Sequence, residues 1–103
     1  NLKKVQMPQN LKTLEESVFY NCINLEDVNI PDGITAIGPT CFRYCYKLKD
    51  VDVPETVERI GRFAFMGCSR LSSVIITNSN TKVDKDSFAE TPYDIMTRHQ
   101  FEQ

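Results

Sequence analysis

Four cysteines, one histidine and a group of carboxylates are the side chains of this sequence that could serve as nucleophile, base or metal ligand. Cys22, Cys45 and Cys68 recur every 23 residues, with Cys41 beside them. In a small secreted protein, four cysteines suggest two disulfides in one of three connectivities. A column of three cannot pair fully, and one interval further on the position holds Thr91. Stacked at the strand spacing of ~4.8 Å, neighbouring cysteines would fall within the Cα separations of ~4.4–6.8 Å that a disulfide accepts, so proximity alone forbids no bridge. A small, weakly polar residue filling one inward slot accounts for both the odd number and the threonine, and free thiols are the favoured reading. Cys41-x-x-x-Cys45 lacks the usual zinc spacing, and no second pair or fourth ligand completes a site. The lone histidine, His99, has no nucleophile or carboxylate fixed near it, so a nucleophile–base pair is not built on it. No glycine-rich phosphate loop follows a strand.

The carboxylates that stand out are Glu26, Asp27, Asp50 and Asp52, of which Asp27 and Asp50 lie 23 residues apart. Whether they form a surface depends on the elements that carry them. The stretch Leu25-Glu-Asp-Val28-Asn-Ile30-Pro31, then Ile34, Ile37-Gly38, Cys41-Phe42 and Cys45, is a unit the chain writes four times. Leu2, Leu25, Leu48 and Leu71 share one column; Val5, Val28, Val51 and Val74 a second; Phe19, Phe42, Phe65 and Phe88 a third. Repeats of this period mean a solenoid. The expected architecture is an α/β-type repeat solenoid of four 23-residue coils, 2–24, 25–47, 48–70 and 71–93. A parallel sheet lines the concave side and short α or 3₁₀ turns the convex side. Residues 94–103 form a C-terminal cap or tail.

Within each coil, Val-x-Ile alternation of period two predicts a strand with one buried face. Val5/Met7, Val28/Ile30, Val51/Val53 and Val74/Ile76 point inward, and successive strands pair in parallel. Proline ends the strand in three coils, because it donates no ladder bond. The second segment, around Ile34 and Ile37, is short and extended or irregular. Gly38 and Gly61 suggest a corner with positive φ, although Glu15 and Asp84 hold the same column. The back of the coil, with Phe42 inward, fits one helical turn. The four phenylalanines then form an aromatic spine.

The fourth copy degenerates. Thr77–Lys82 reads as a polar loop that exposes backbone, as a terminal repeat must to keep its edge soluble. Thr91-Pro92-Tyr93-Asp94 resembles a helix start, with a short helix or tail after it. The opposite end begins in mid-repeat with no cap, which suggests further coils upstream. An open edge at Leu2–Met7 could pair between copies.

Alternation also assigns the concave surface. Asp27 and Asn29 point outward, as do Lys4/Gln6, Asp50/Asp52 and Ser73/Ile75, with Glu26 flanking. Glu26, Asp27, Asn29, Asp50, Asp52 and Ile75 are therefore the candidate partner-binding residues. The acidic group could receive a basic loop or a cation. The favoured reading is a solvated face softened by Lys3, Lys4 and Lys49, and no calcium loop accompanies the group. Ile75 is a second candidate contact, unless the tail covers it.

Bulk properties narrow the classes. The chain has 103 residues, 41% hydrophobic and 25% charged, so one ordered domain is expected. A net charge of −2 and scattered lysines and arginines argue against nucleic-acid binding. Apolar runs are too short to span a bilayer, and no signal peptide is visible.

These motifs resemble the BspA-like (Treponema pallidum-type) leucine-rich repeats, whose pattern runs Leu-x-x-[Val/Ile]-x-[Val/Ile]-Pro, then Ile-Gly, Ala-Phe and Cys. The second and third coils follow it nearly throughout: Leu25…Pro31…Ile37-Gly38…Phe42…Cys45, and Leu48…Pro54…Ile60-Gly61…Ala64-Phe65…Cys68. Cys41, Val18 and Ser87 depart from it where the family prefers alanine. The resemblance implies a curved right-handed solenoid with a parallel concave sheet. It implies a non-catalytic module for protein interaction or adhesion, surface-exposed or secreted, with a protein ligand, no cofactor and no membrane insertion. A structural spacer that displays another domain is the alternative.

Overall fold

The computed structural model describes residues 3–94; Asn1, Leu2 and the tail 95–103, with its expected helix and His99, lie outside them. Eight short strands follow one another: β1 (Lys4–Val5), β2 (Thr13–Leu14), β3 (Asp27–Val28), β4 (Ala36–Ile37), β5 (Asp50–Val53), β6 (Arg59–Ile60), β7 (Ser73–Ile76) and β8 (Lys82–Val83). Every pairing is parallel and joins residues 23 apart, as in Val5 with Val28, Ile37 with Ile60 and Val51 with Val74. A fixed interval therefore becomes a fixed position in space, and the chain is a parallel β-solenoid with little helix.

The strand pairing is not distributed as the alternation pattern suggests. The Val-x-Ile strands form two separate pairs, β1 with β3 and β5 with β7. The continuous four-stranded sheet, β2-β4-β6-β8, comes instead from the second segment, whose sequence signal is only two residues wide. A third ladder runs along the back. Phe19 N–H donates to the Cys41 carbonyl at 2.8 Å, Phe42 N–H to Ala64 at 2.7 Å, and Phe65 N–H to Ser87 at 2.7 Å.

That ladder explains why the convex side is made of turns. An N–H pointing to the next coil cannot also bond four residues back within its own coil. Two columns adopt left-handed backbone: Ser17, Thr40, Phe63 and Asp86, and then Asn21, Tyr44, Gly67 and Glu90, with φ between 55 and 75°. Left-handed residues interrupt a right-handed helix, and here they turn the chain at the same two places in every coil.

Gly38 and Gly61 relieve crowding against the coil before them and do not serve a positive φ, although Asp84 fills the same column in the fourth coil. A Cβ on Gly38 would lie 2.6 Å from the Leu14 carbonyl oxygen, and one on Gly61 would lie 2.6 Å from Pro39 N. Glu15 holds the same column in the first coil, where no described coil lies above it. The glycines with positive φ are Gly33 and Gly67.

The core lies between the ladders. Leu25, Ile34, Phe42, Leu48, Val57, Ile60, Phe65 and Leu71 are fully buried. The phenylalanine rings stack in order with centroids 5.1, 5.0 and 5.2 Å apart and planes within 12° of parallel. Offset stacking of this kind adds ~0.5–1.5 kcal/mol per pair beyond area burial. At the C-terminal end Tyr93 closes the column edge-on over Phe88 at 5.0 Å. Thr91 is buried, donates its hydroxyl to the Phe88 carbonyl and accepts the Asp94 N–H at 3.0 Å, capping the turn at 92–94. The polar stretch Thr77–Lys82 also stacks. Thr77, Asn78 and Thr81 donate side-chain hydrogen bonds to the carbonyls of Val53, Glu55 and Val57 in the coil before.

Candidate functional site

The thiols are structural. All four cysteines are free; Cys45 donates to the Phe19 carbonyl at 3.3 Å and Cys68 to Phe42 at 3.0 Å. Each bonds to the preceding coil from the slot that Thr91 fills in the last one. Burial pushes the Cys41 thiol up to about 12, and the Cys45 thiol is raised by its hydrogen bond with Cys68 and by burial. A thiol held neutral is a poor nucleophile and a poor ligand. Among the described residues, no group of three or more His, Cys, Asp or Glu is placed to hold a metal ion. No helix there is long and apolar enough to cross a membrane.

The carboxylates do come together. Between the second and third coils lies an open groove of about 580 Å³, lined by Asp27, Asn29, Asp50, Asp52 and Ile75 with Asp32 and Glu55. Val28, Ile30, Val53 and Pro54 contribute its apolar lining. Glu26 is exposed but outside the lining. Five carboxylates and no lysine or arginine thus line one depression. Asp32 and Glu55 are missing from the set given by strand alternation, because they sit in the turns after Pro31 and Pro54. Their 23-residue relation was the available signal.

The groove coincides with the break in the concave sheet. In the first pair of coils, Glu26 and Asp27 N–H both donate to the Lys3 carbonyl; in the last pair, Ser72 and Ser73 donate to Lys49. No equivalent bonds join residues 49 and 50 to the Glu26 carbonyl. The side chains account for the difference. Where the strands pair, Lys4 faces Asp27, Asp50 faces Ser73 and Asp52 faces Ile75. Pairing β3 with β5 would set Asp27 against Asp50 at strand spacing, and like charges directly opposite destabilise a sheet by ~0.2–1 kcal/mol. The acidic residues therefore shape the groove as well as line it. Ile75 is 53% exposed at its rim and is not covered by any described residue of the tail.

The convex side carries a cluster of arginines and aromatic rings that scattered basic residues in the sequence do not reveal. Arg43 lies 4.8 Å from the Tyr44 ring centroid and 5.3 Å from that of Phe63, and Arg62 lies 4.8 Å from Phe63. Tyr20 and Tyr46 flank Tyr44. The guanidinium of Arg43 stacks on the Tyr44 ring and that of Arg62 on Phe63.

Comparison with known proteins agrees with this architecture. A family model described as the BspA type leucine rich repeat region (6 copies) matches residues 1–95. Among solved structures, the chain is similar to a T. pallidum leucine rich repeat protein, at 20% identity and a TM-score of 0.71 over 94% of this chain. It spans 57% of that protein's chain, and at this identity the likeness is one of fold. No curated protein matches.

Proposed function

From the premise that the chain belongs to the BspA-type leucine-rich repeat family, we propose that it is a non-catalytic protein-interaction module. Its ligand binds on the concave side through Asp27, Asn29, Asp50, Asp52 and Ile75, with Glu26 at the margin and Asp32 and Glu55 added from the turns. One observation carries this reading: a groove lined by five carboxylates and no cation, at a place where the sheet forgoes its own pairing. A solenoid presents such a concave surface without rearrangement, so the cost of ordering the site is already met in the fold. The complementary ligand surface is a basic, extended protein segment. Such attraction speeds encounter and weakens with salt. Surface exposure or secretion, and a role in adhesion, follow from what is typical of the family.

The test is the triple reversal Asp27, Asp50 and Asp52→Lys. A fluorescent peptide rich in lysine and arginine is titrated against the parent and the variant at low and physiological salt, and both are melted. Binding to the parent, lost in a variant that melts as the parent does, supports an interaction module. If the parent does not bind, or the variant binds equally, the chain acts as a structural spacer that displays a neighbouring domain.

A further inference from the structure

The backs of the second and third coils carry charge opposite to the groove in front of them. Residues 38–47 and 61–70 hold Arg43, Lys47, Arg62 and Arg70 and no aspartate or glutamate. The corresponding stretches of the coils on either side, 15–24 and 84–93, hold Glu15, Glu16, Asp84, Asp86 and Glu90 against the single cation Lys85. The basic patch is therefore two coils wide. It has a described coil on each side, so its exposure does not depend on either end of the array.

Two of these cations are held in place but not paired. Arg59, on β6, has its carboxylate in Asp84 at 3.0 Å; among the described residues Arg43 and Arg62 have none. The Arg43 guanidinium lies against both Tyr44 and Phe63, and its Nη2 donates to the Tyr44 hydroxyl at 3.2 Å. The Tyr44 ring is itself seated on Gly67 of the next coil, where a Cβ would fall 2.5 Å from it. Arg43 Nε is shut from water with no acceptor. Part of a charged group is thus buried without a counter-charge, which costs stability until an anion supplies one. With guanidinium groups lying on them, the Tyr44 and Phe63 rings hold donors in place and leave less face on which a base or sugar ring could stack.

We propose that this patch is a second docking surface, which takes an acidic segment of a partner protein whose carboxylates bond Arg43 and Arg62. The planar fork of a guanidinium matches a carboxylate, and stacking that fixes it beforehand lowers the ordering cost of binding. The surroundings fit a protein. Tyr46 is 42% exposed beside Tyr44, and Phe63 and Met66 are half-buried. Arginine, tyrosine, phenylalanine and methionine are the residue types enriched at protein interfaces. A uniformly charged polyanion fits less well, because a chain running along the solenoid meets Glu16 on one side and Asp86 on the other. The surface shares no residue with the concave groove, so it stands or falls independently of the function proposed for that groove.

Fluorescence anisotropy at physiological salt tests the proposal with a labelled peptide of glutamate, leucine and tyrosine. An all-thymidine oligonucleotide of equal charge is the second probe. The parent is expected to bind the peptide. Arg43→Gln and Arg62→Gln should each raise its dissociation constant by about tenfold or more, the loss typical of a central interface arginine. Arg62 is exposed, so its replacement leaves the core untouched and the loss cannot come from unfolding. Arg59→Gln removes the same charge outside the patch and should leave binding unchanged. A parent that ignores the peptide overturns the proposal, as does an affinity that Arg62→Gln and Arg59→Gln lower alike. An oligonucleotide bound as tightly as the peptide, or more so, overturns it too and assigns the patch to nucleic acid.

Discussion

Truncating a central ring of the phenylalanine column should cost a large share of the folding free energy. Phe42 is fully buried, with Phe19 stacked on one face at 5.1 Å and Phe65 on the other at 5.0 Å. A buried Phe→Ala change costs ~3–5 kcal/mol through lost transfer energy and the cavity left behind. Phe42→Ala belongs in the upper half of that range, because the cavity opens between two rings whose coils are held apart by the hydrogen-bonded ladder along the back, so neither can collapse into it. A domain of this size has only ~5–15 kcal/mol to lose. Urea unfolding followed by far-ultraviolet circular dichroism is the assay. With a slope of ~1 kcal/mol per molar urea at the small end of the usual range, the midpoint should fall by several molar, or the variant should be unfolded in water. Phe65→Ala should behave alike. Phe63→Ala is the control: that ring is half-buried, and its contacts with Arg43 and Arg62 are worth ~0.5–1 kcal/mol each. If Phe42→Ala and Phe63→Ala shifted the midpoint equally, the stacked column would not be what holds the coils together.

Other perturbations test separate parts of the account. Gly61→Ala drives a Cβ to 2.6 Å from backbone that cannot move aside and should destabilise by ~1–3 kcal/mol. Gly33→Ala meets open space and bears only the strain of its φ of 102°, so the smaller loss in paired thermal melts should be at Gly33. Asp50→Lys places a cation beside Asp27 and should let β3 and β5 pair. A gain of ~0.2–1 kcal/mol in unfolding free energy, read from urea titration, is expected, whereas a loss would show that repulsion does not open the seam. For the thiols, Cys41 ionises near 9.0 when exposed and only at about 12 when folded, because burial penalises the thiolate. Above pH 9 the unfolded chain gives up a proton that the folded chain keeps, so stability is full below that value and falls as pH rises through the window, by ~1.4 kcal/mol per unit. Mass spectrometry after mild alkylation should find half-buried Cys22 labelled first and Cys41, Cys45 and Cys68 only on unfolding.

How far the sequence could be read depended on whether a feature repeats. The inward columns Leu25, Phe42, Ile60 and Phe65 are legible because every coil poses the same packing problem and the chain answers it with the same residue. The thiol column was legible for the same reason, with Thr91 as the exception that showed its purpose. What escaped depends on relations between coils. Gly38 and Gly61 signal a need for glycine, but only the 2.6 Å approach distinguishes crowding from a left-handed backbone. The continuous sheet falls on Leu14, Ile37, Ile60 and Val83, each with one apolar residue to mark it, while the stronger Val-x-Ile pattern belongs to the sheet that is broken. In the groove, alternation gave Asp27, Asn29, Asp50, Asp52 and Ile75. The turn residues Asp32 and Glu55 have no face until the turn is folded.

The most direct measurement is a proton nuclear Overhauser spectrum of the chain with only its phenylalanine rings observed. Stacking at one fixed interval predicts contacts from Phe42 to both Phe19 and Phe65, from Phe65 to Phe88, and none that skips a coil. Contacts between Phe19 and Phe65, or rings with no aromatic neighbour, would contradict the registration of the coils on which the groove depends.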